Sequence, residues 1–114
     1  MAIPKQSVGI RQSKSELVVF RVDGTGTAAI SEGKYHATLT DNGTGDYTLT
    51  FVRPAARTLC VVGAVSETAN LMPQIVSASS SAVRIKWVDN DGTPTATDSV
   101  FHLSVMAFYD AQQR

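Results

Sequence analysis

The stretch Gly43-Thr-Gly-Asp-Tyr-Thr-Leu-Thr-Phe51 decides the fold, because a glycine-rich turn is followed by side chains that alternate strictly in character. Tyr47, Leu49 and Phe51 share one face, and the threonines between them share the other. Alternation with a period of two is typical of a half-buried β-strand, whose successive side chains point to opposite sides of the sheet. Residues 35–40 alternate in the same way and lead into a loop with Asn-Gly, so the two runs predict a β-hairpin.

Comparable runs occur along most of the chain, separated by glycine, asparagine, serine or proline. They cover residues 17–22, 58–65, 74–78, 83–88 and 100–109. No segment sustains the 3.6-residue period of an amphipathic helix over the length of a typical helix. About seven to eight short strands predict an all-β domain, either an antiparallel β-sandwich or a jelly-roll-like barrel. The order of the strands does not follow from the pattern.

The 114 residues fit a single domain flanked by two short segments. Residues 1–16 contain few large apolar side chains and are predicted to form an extended N-terminal arm. The arm is mildly basic, and its basic residues are Lys5, Arg11 and Lys14. Residues 17–110 form the predicted β-sandwich domain, and residues 111–114 form a polar tail.

The charges of the chain are balanced, with ten Lys plus Arg against ten Asp plus Glu. Because binding to nucleic acid requires clustered basic residues, this balance argues against a nucleic-acid partner. No apolar run approaches the ~20 residues that cross a bilayer, and no secretory signal is visible, so we expect no membrane partner and a reducing compartment. The single cysteine, Cys60, lies in an apolar run and is expected to be a buried thiol.

One loop has the residue types of a cation site. Asp89, Asn90, Asp91 and Gly92 are similar to the beginning of a calcium loop, but the glycine comes too early for an EF-hand. Val100 stands where an EF-hand has its bidentate glutamate. We therefore interpret the loop as a turn, and whether the Asp/Asn-rich loops bind calcium stays open.

The residues able to carry catalysis do not converge in the sequence. His36 and His102 lie on predicted strands, and a zinc site built on them would lack its third and fourth ligands. No Gly-x-Ser-x-Gly motif supports a catalytic triad. The sequence thus predicts no catalytic residue, no cofactor and no metal site, and we expect the protein not to be an enzyme. Tyr35, Tyr47 and Trp87 are the aromatic residues that could line a ligand groove, although alternation with polar residues favours core positions.

Two predicted strands are apolar on both faces. They are the run at residues 59–65 and the second half of the last strand, which contains Val105, Met106, Phe108 and Tyr109. A sandwich of this size normally exposes one face of each sheet to water. Either another subunit or a neighbouring protein covers these faces, or the two strands lie at the centre of the sandwich, and the sequence leaves both alternatives open.

Three segments resemble small virion proteins of tailed bacteriophages: residues 38–51 (TLTDNGTGDYTLTF), 60–68 (CVVGAVSET) and 83–110 (VRIKWVDNDGTPTATDSVFHLSVMAFYD). In that family a Gly-x-Gly-x-Tyr-x-(Val/Leu)-x-Phe strand is followed by a strand rich in Val and Ala, and a terminal strand with Phe-His or a similar pair ends the chain. The resemblance covers residues 17–110 and concerns strand packing. Similar patterns occur in tail-fibre tips and in trimeric jelly rolls.

The resemblance implies a virion structural protein, and in its sharper form a capsid decoration or cement protein that binds the outer head surface and stabilises the shell. It implies a homotrimer on the major capsid protein, located in the virion after synthesis in the host cytoplasm. The three basic residues of the arm would dock on an acidic capsid surface. The subunit interface would include Val105, Phe108 and Tyr109 of the last strand. The alternative is a tail-fibre or tail-associated module that binds a receptor or a glycan.

Overall fold

The computed structural model describes residues 14–89 and 95–109, most of which belong to eight β-strands. The strands are β1 Lys14–Asp23, β2 Ala29–Glu32, β3 Ala37–Gly43, β4 Asp46–Phe51, β5 Cys60–Ser66, β6 Leu71–Ala78, β7 Ala82–Asp89 and β8 Val100–Tyr109. The prediction of an all-β domain is confirmed. In the described part of the chain, no helix has the length and apolar character needed to span a membrane.

The strands form two antiparallel sheets that pack face to face. The first sheet has the order β2-β1-β8-β5, and the second has the order β3-β4-β7-β6. The fold is therefore an antiparallel β-sandwich and not a single closed barrel. The consecutive strands β5 and β6 are the edges of different sheets and lie side by side, while β2 and β3 do the same on the opposite side of the sandwich.

Alternating side chains of the central strands fill the space between the sheets, as the sequence predicts. The completely buried residues include Phe20, Val22, Tyr47, Leu49, Val83, Ile85, Trp87, Phe101, Leu103 and Val105. The Phe101 ring packs against Tyr47 and Trp87, with ring centroids 5.4 Å and 5.2 Å away. Burial of each large apolar side chain stabilises the fold by about 1.5–3 kcal/mol relative to its exposure.

The β3–β4 hairpin is tied to the segment before β8 through Gly45 and Tyr47. Gly45 has a positive φ of 68°, and its N–H donates to Asp98 Oδ1 over 2.8 Å. A Cβ atom at this position would lie 2.7 Å from Thr97 O, so only glycine fits. The Tyr47 hydroxyl lies 3.0 Å from both Asp98 Oδ1 and Gly24 O, and burial together with Asp98 raises the pKa of Tyr47. The predicted hairpin is thus held at its turn.

Several strand boundaries differ from the prediction, and the differences at β1, β6 and β3 bear on the predicted arm and surface residues. Strand β1 begins at Lys14, which pairs with Tyr109, so residues 14–16 belong to the sandwich and not to the arm. Strand β6 begins at Leu71, three residues before the predicted strand. Tyr35 precedes β3 and is 83% exposed, because the chain turns there before it enters the sheet.

The two doubly apolar strands have different positions in the sandwich. Strand β8 is central, whereas β5 is an edge strand whose side chains are half-buried or exposed. Cys60 is exposed, so the prediction of a buried thiol is wrong. The reason is that an apolar run reports composition, whereas burial depends on which other strands cover the run.

Candidate interaction surface

The predicted interface residues on β8 lie on two different faces. Val105 is completely buried and Tyr109 nearly so, because their side chains point to the space between the sheets. Phe108 is half-buried and points to the outer face of the first sheet, where it pairs with Ser15. Val105 therefore has no surface that a second subunit could cover. The part of β8 available to a neighbour is its outward-facing half.

Only one of the three basic residues predicted to bind the capsid lies within the described residues. Lys14 is the first residue of β1, and its side chain is exposed. Lys5 and Arg11 lie outside the described residues, as does the polar tail at 111–114. The docking role of the arm stays a prediction.

Outward-facing residues of the first sheet form an apolar patch, here called the outer patch. It consists of Leu17, Val19, Cys60, Val65, Met106 and Phe108. Leu17 and Val19 are 53% and 52% exposed. The register makes the patch continuous, because Leu17 pairs with Met106, which in turn pairs with Cys60. The next row, in which Val19 pairs with Ser104, is also uncharged.

Strands β5 and β6 form a second apolar surface, here called the open side. Neither strand contains Asp, Glu, Lys or Arg. Its exposed large apolar residues are Val62, Val65, Met72, Ile75 and Val76, with exposures between 43% and 62%. Edge strands of soluble proteins normally carry charges that prevent association. A pair of uncharged edges is therefore unusual for a surface that stays in water.

Each strand of the open side contains a β-bulge. The register of β5 shifts at Val62 and that of β6 shifts at Val76, so neither valine has a directly paired residue. Pro73, also in β6, has no N–H to donate. Bulges and proline interrupt the row of main-chain groups with which an incoming strand would pair. The open side is thus suited to contacts through apolar side chains rather than to the addition of a strand.

The core is only partly closed on the open side. Ile75 pairs with the completely buried Ile85, so its side chain points to the space between the sheets, yet it is 43% exposed. Leu71 and Ala78 of the same strand pack against the core and are only partly buried. A partner on this side would complete the burial of residues that already belong to the core.

A charged cluster marks the polar end of the outer patch. Glu67 Oε2 lies 2.7 Å from Arg21 Nε and 2.7 Å from His102 Nε2. Arg21 Nη2 donates to Glu67 Oε1 over 3.2 Å, and Arg21 Nη1 donates to Ser31 Oγ over 3.0 Å. Arg21 and, to a smaller extent, His102 hold the pKa of Glu67 below its usual range. Because these groups satisfy one another, the cluster does not require a charged partner.

The two histidines are engaged in different contacts. His36 and Phe20 form a T-shaped ring pair with centroids 6.5 Å apart, whereas His102 contacts Glu67. Within residues 14–89 and 95–109, no three His, Cys, Asp or Glu side chains are grouped so that they could hold a metal ion.

The Asp/Asn-rich loops use their carboxylates within the fold where they are described. Asp89 Oδ1 accepts a hydrogen bond from the Thr95 N–H over 3.1 Å, and the Asp89 N–H donates to Thr95 O over 3.0 Å, so the Asp89 carboxylate helps to close the loop. Residues 90–94 lie outside the described residues. Arg84 donates to both carboxylate oxygens of Asp46, at 3.0 Å and 2.7 Å, and holds the pKa of Asp46 below its usual range.

The aromatic residues that could line a ligand groove are mostly in the core. Tyr47 and Trp87 are completely buried and present no ring to a ligand. Tyr35 is the exposed member of the three, and Lys34 Nζ lies 5.6 Å from its ring centroid. A platform made of these three aromatic residues therefore does not form.

A small cleft lies at the end of the sandwich where β1 begins and β8 ends. It has a volume of about 210 Å³, and its polar lining residues include Glu16, His36 and Arg53. The Arg53 guanidinium lies 4.0 Å above the Tyr109 ring. Ligand pockets usually measure about 300–1,000 Å³, so this cleft is smaller than a typical small-molecule site.

The sequence contains a signal for the open side, which is a lack of charged residues and not a periodic pattern. Residues 58–83 contain a single charged residue, Glu67, whereas 18% of the whole chain is charged. Glu67 itself is paired with Arg21 and His102. So long a stretch with a single charged residue indicates a segment that is covered by protein rather than by water, whichever strands it forms.

No protein-family model, no curated protein and no solved structure matches this chain.

Proposed function

We propose that this chain is a non-enzymatic structural protein of a bacteriophage virion, and specifically a capsid decoration protein that binds the outer head surface and stabilises the shell. The observation that carries the proposal is the continuous uncharged surface made of the outer patch and the open side. Burial of apolar area contributes about 25 cal/mol per Å², so such a surface is stabilising when a neighbour covers it. In water it favours association.

The segments that resemble phage virion proteins supply much of this surface. Residues 60–68 include β5, and residues 83–110 include β8. A resemblance that concerns strand packing therefore coincides with the strands that leave apolar residues exposed. This coincidence supports an assembly role over a role in small-molecule binding, for which the described cleft is small.

The N-terminal segment is the proposed contact with the head. Strand β1 begins at residue 14, and a fully extended chain of the preceding length spans up to about 43–47 Å. This segment contains Lys5 and Arg11 and no acidic residue. An acidic capsid surface would attract it, and salt would weaken the attraction.

The test uses heads of the phage that encodes the protein, prepared without it. Purified protein is added, the bound fraction is measured by sedimentation, and its position is determined by electron cryo-microscopy. We expect saturable binding at regular positions on the outer surface and greater resistance of the heads to heat. Lys5→Glu and Arg11→Glu should weaken binding, most strongly at low salt, whereas the matched control Lys34→Glu should not.

Failure to bind heads, together with binding to intact host cells, would overturn the decoration role and favour the tail-associated receptor or glycan-binding module. In that case Tyr35→Ala is the first variant to measure on cells, because Tyr35 is a highly exposed aromatic residue.

A further inference from the structure

We infer that the first half of β1, at residues 14–18, binds an extended acidic peptide of another protein. The peptide adds to the first sheet as a strand and places carboxylate side chains in the cleft beside Arg53. The inference goes beyond the proposed function and does not depend on it, because neither the N-terminal arm nor the apolar surfaces take part.

Strand β1 has a neighbour over only part of its length on the side of β2. Strand β2 pairs with residues 21–23 of β1, whereas β8 pairs with residues 14–23. Within the described part of the chain, residues 14–18 therefore form an exposed edge of the first sheet. Their pairing with β8 is regular, and the segment contains no proline. Unlike the open side, this edge keeps an uninterrupted row of main-chain groups with which a strand can pair.

The main-chain groups of Ser15 and Leu17 point to this edge. The direction follows from Val19 O, because a Cβ atom at Gly33, between β2 and β3, would lie only 2.7 Å from it. Alternate residues of a paired strand direct their N–H and C=O groups to the same side, so Ser15 and Leu17 direct theirs as Val19 does. A peptide that bonds both residues would run beside residues 14–18 over about 17 Å.

Two charged side chains of this segment face inward. Lys14 and Glu16 continue the alternation of the buried Val18 and Phe20, so they point to the space between the sheets. Among residues 14–89 and 95–109, neither forms an ion pair. Inward-facing charges on an edge oppose the addition of an apolar strand. An added strand must therefore carry polar or charged side chains on its inner face.

The cleft at this end of the sandwich has room for those side chains. It is lined by Glu16 and Val18 of β1 and by His36, which precedes β3, so it lies on the side where a strand would add. Its volume of about 210 Å³ is small for a whole ligand but sufficient for a side chain. An adjoining cleft of about 130 Å³ has Lys14 and Arg53 in its lining.

The charges of the two clefts favour an acidic partner. Arg53 is held above the Tyr109 ring, and among the described residues its N–H groups have no acceptor. Lys14 and Arg53 together place two positive charges against the one negative charge of Glu16. A guanidinium binds a carboxylate through charge-assisted hydrogen bonds, so glutamate or aspartate side chains are the expected contacts.

The same charges argue against this chain as its own partner. A second copy would bring its own Lys14 and Arg53 to the edge. Residues 1–13 contain Lys5 and Arg11 and no acidic residue. Like charges directly opposite each other destabilise a strand pair, so a segment of another protein is the better complement.

The probe is a heptapeptide, capped at both ends, in which glutamate alternates with valine. It is titrated into the full chain, and the amide signals are followed by NMR. We expect saturable shifts and slower hydrogen exchange at the amides of Ser15 and Leu17. A control peptide with lysine in place of glutamate should bind more weakly. Equal binding of the two peptides would overturn the acidic partner, and unchanged signals at Ser15 and Leu17 would overturn the added strand.

A pair of charge variants tests the cleft. Arg53→Gln should weaken binding of the glutamate peptide by about two- to fivefold, and salt should reduce the difference from the wild type. Lys34→Gln is the matched control, because it removes one positive charge from an exposed residue outside both clefts. Equal losses in the two variants would mean that net charge alone governs binding and would overturn the role of the cleft.

A pair of variants at Ser15 tests the main-chain pairing. Ser15→Pro removes an N–H that points away from β8, so the fold should be kept while binding weakens by about threefold or more. Ser15→Ala keeps this N–H and should bind as the wild type does. Circular dichroism checks both folds, and if Ser15→Pro unfolds, the exchange rates of the wild type decide. Full binding by a folded Ser15→Pro would overturn the inference, and so would amides at Ser15 and Leu17 that are protected without peptide.

Discussion

The edge strands on the two sides of the sandwich differ in the type of residue that forms their β-bulge. Among residues 14–89 and 95–109, each of the four edge strands contains a β-bulge, and the extra residue is Ser31 in β2, Asn42 in β3, Val62 in β5 and Val76 in β6. On the β2–β3 side both extra residues are polar, and on the open side both are valine. All four bulges interrupt strand addition. Only the polar pair also makes its surface hydrophilic.

The polar extra residues are bonded within the chain. Ser31 Oγ accepts a hydrogen bond from Arg21 Nη1 over 3.0 Å and donates to Arg21 O over 3.1 Å. Asn42 Nδ2 donates to Thr48 Oγ1 over 2.7 Å and to Asp46 Oδ1 over 3.3 Å. The valines can form no such bonds. A bulge thus prevents the addition of a strand without making the edge hydrophilic. A side whose bulges carry valine therefore remains suited to packing against a partner through its side chains.

The largest effect on the stability of the fold is expected from glycines on the two sides of the sandwich. Gly33, between β2 and β3, has a φ of 89°, and a Cβ there would lie 2.7 Å from Val19 O. Gly33→Ala should lower the free energy of unfolding in urea by about 1–3 kcal/mol. In β5, a Cβ at Gly63 would have no atom within 4 Å. Gly63→Ala should therefore change the free energy of unfolding by at most about 0.5 kcal/mol. Equal losses would contradict the difference in packing between the two sides.

The parts of the fold that depend on neighbours along the chain could be predicted from the sequence. Alternation and Asn-Gly predicted the β3–β4 hairpin, and Gly43 and Gly45 have the positive φ values that such a turn requires. The place of a strand in its sheet depends instead on partners far along the chain. Cys60, for example, pairs with Met106. Its apolar neighbours predicted burial, whereas the edge position of β5 leaves the thiol exposed.

The candidate surface could be predicted only in part. Alternation along β8 separates Val105 and Tyr109 from Phe108, but it does not tell which of the two faces is covered by the second sheet. The interface predicted on all three residues therefore combined core residues with a surface residue. The open side depends on strand order, which the sequence pattern does not contain. Its indirect trace is the lack of charge in residues 58–83.

A moderate effect is expected when the bulge residues themselves are changed. Asn42→Ala removes hydrogen bonds to Thr48 and Asp46 and should lower the free energy of unfolding by about 1 kcal/mol. Val62→Ala shortens an exposed side chain and should change the free energy of unfolding by no more than about 0.5 kcal/mol. A greater loss of single-chain stability for Val62→Ala than for Asn42→Ala would place Val62 in the core.

The smallest effect is expected at the charged cluster that borders the outer patch. Arg21 and His102 hold the pKa of Glu67 below its ordinary value of 4.5. A carboxyl group with a lowered pKa in the folded state contributes stability above its unfolded pKa, and this contribution is lost as the pH falls through the folded pKa. The wild type should therefore lose stability more steeply than Glu67→Gln between about pH 5 and pH 3.

Arg21→Lys sharpens this test, because it keeps a positive charge beside Glu67 and removes the fork that reaches both carboxylate oxygens. Its loss of stability with falling pH should lie between those of the wild type and Glu67→Gln. The cluster is exposed to solvent, so salt should reduce the difference among the three proteins. Parallel curves for the wild type and Glu67→Gln would mean that the cluster contributes nothing to the fold of a single chain. The acid sensitivity would then have to come from other carboxylates, of which the partly buried Asp46 beside Arg84 is the first to test.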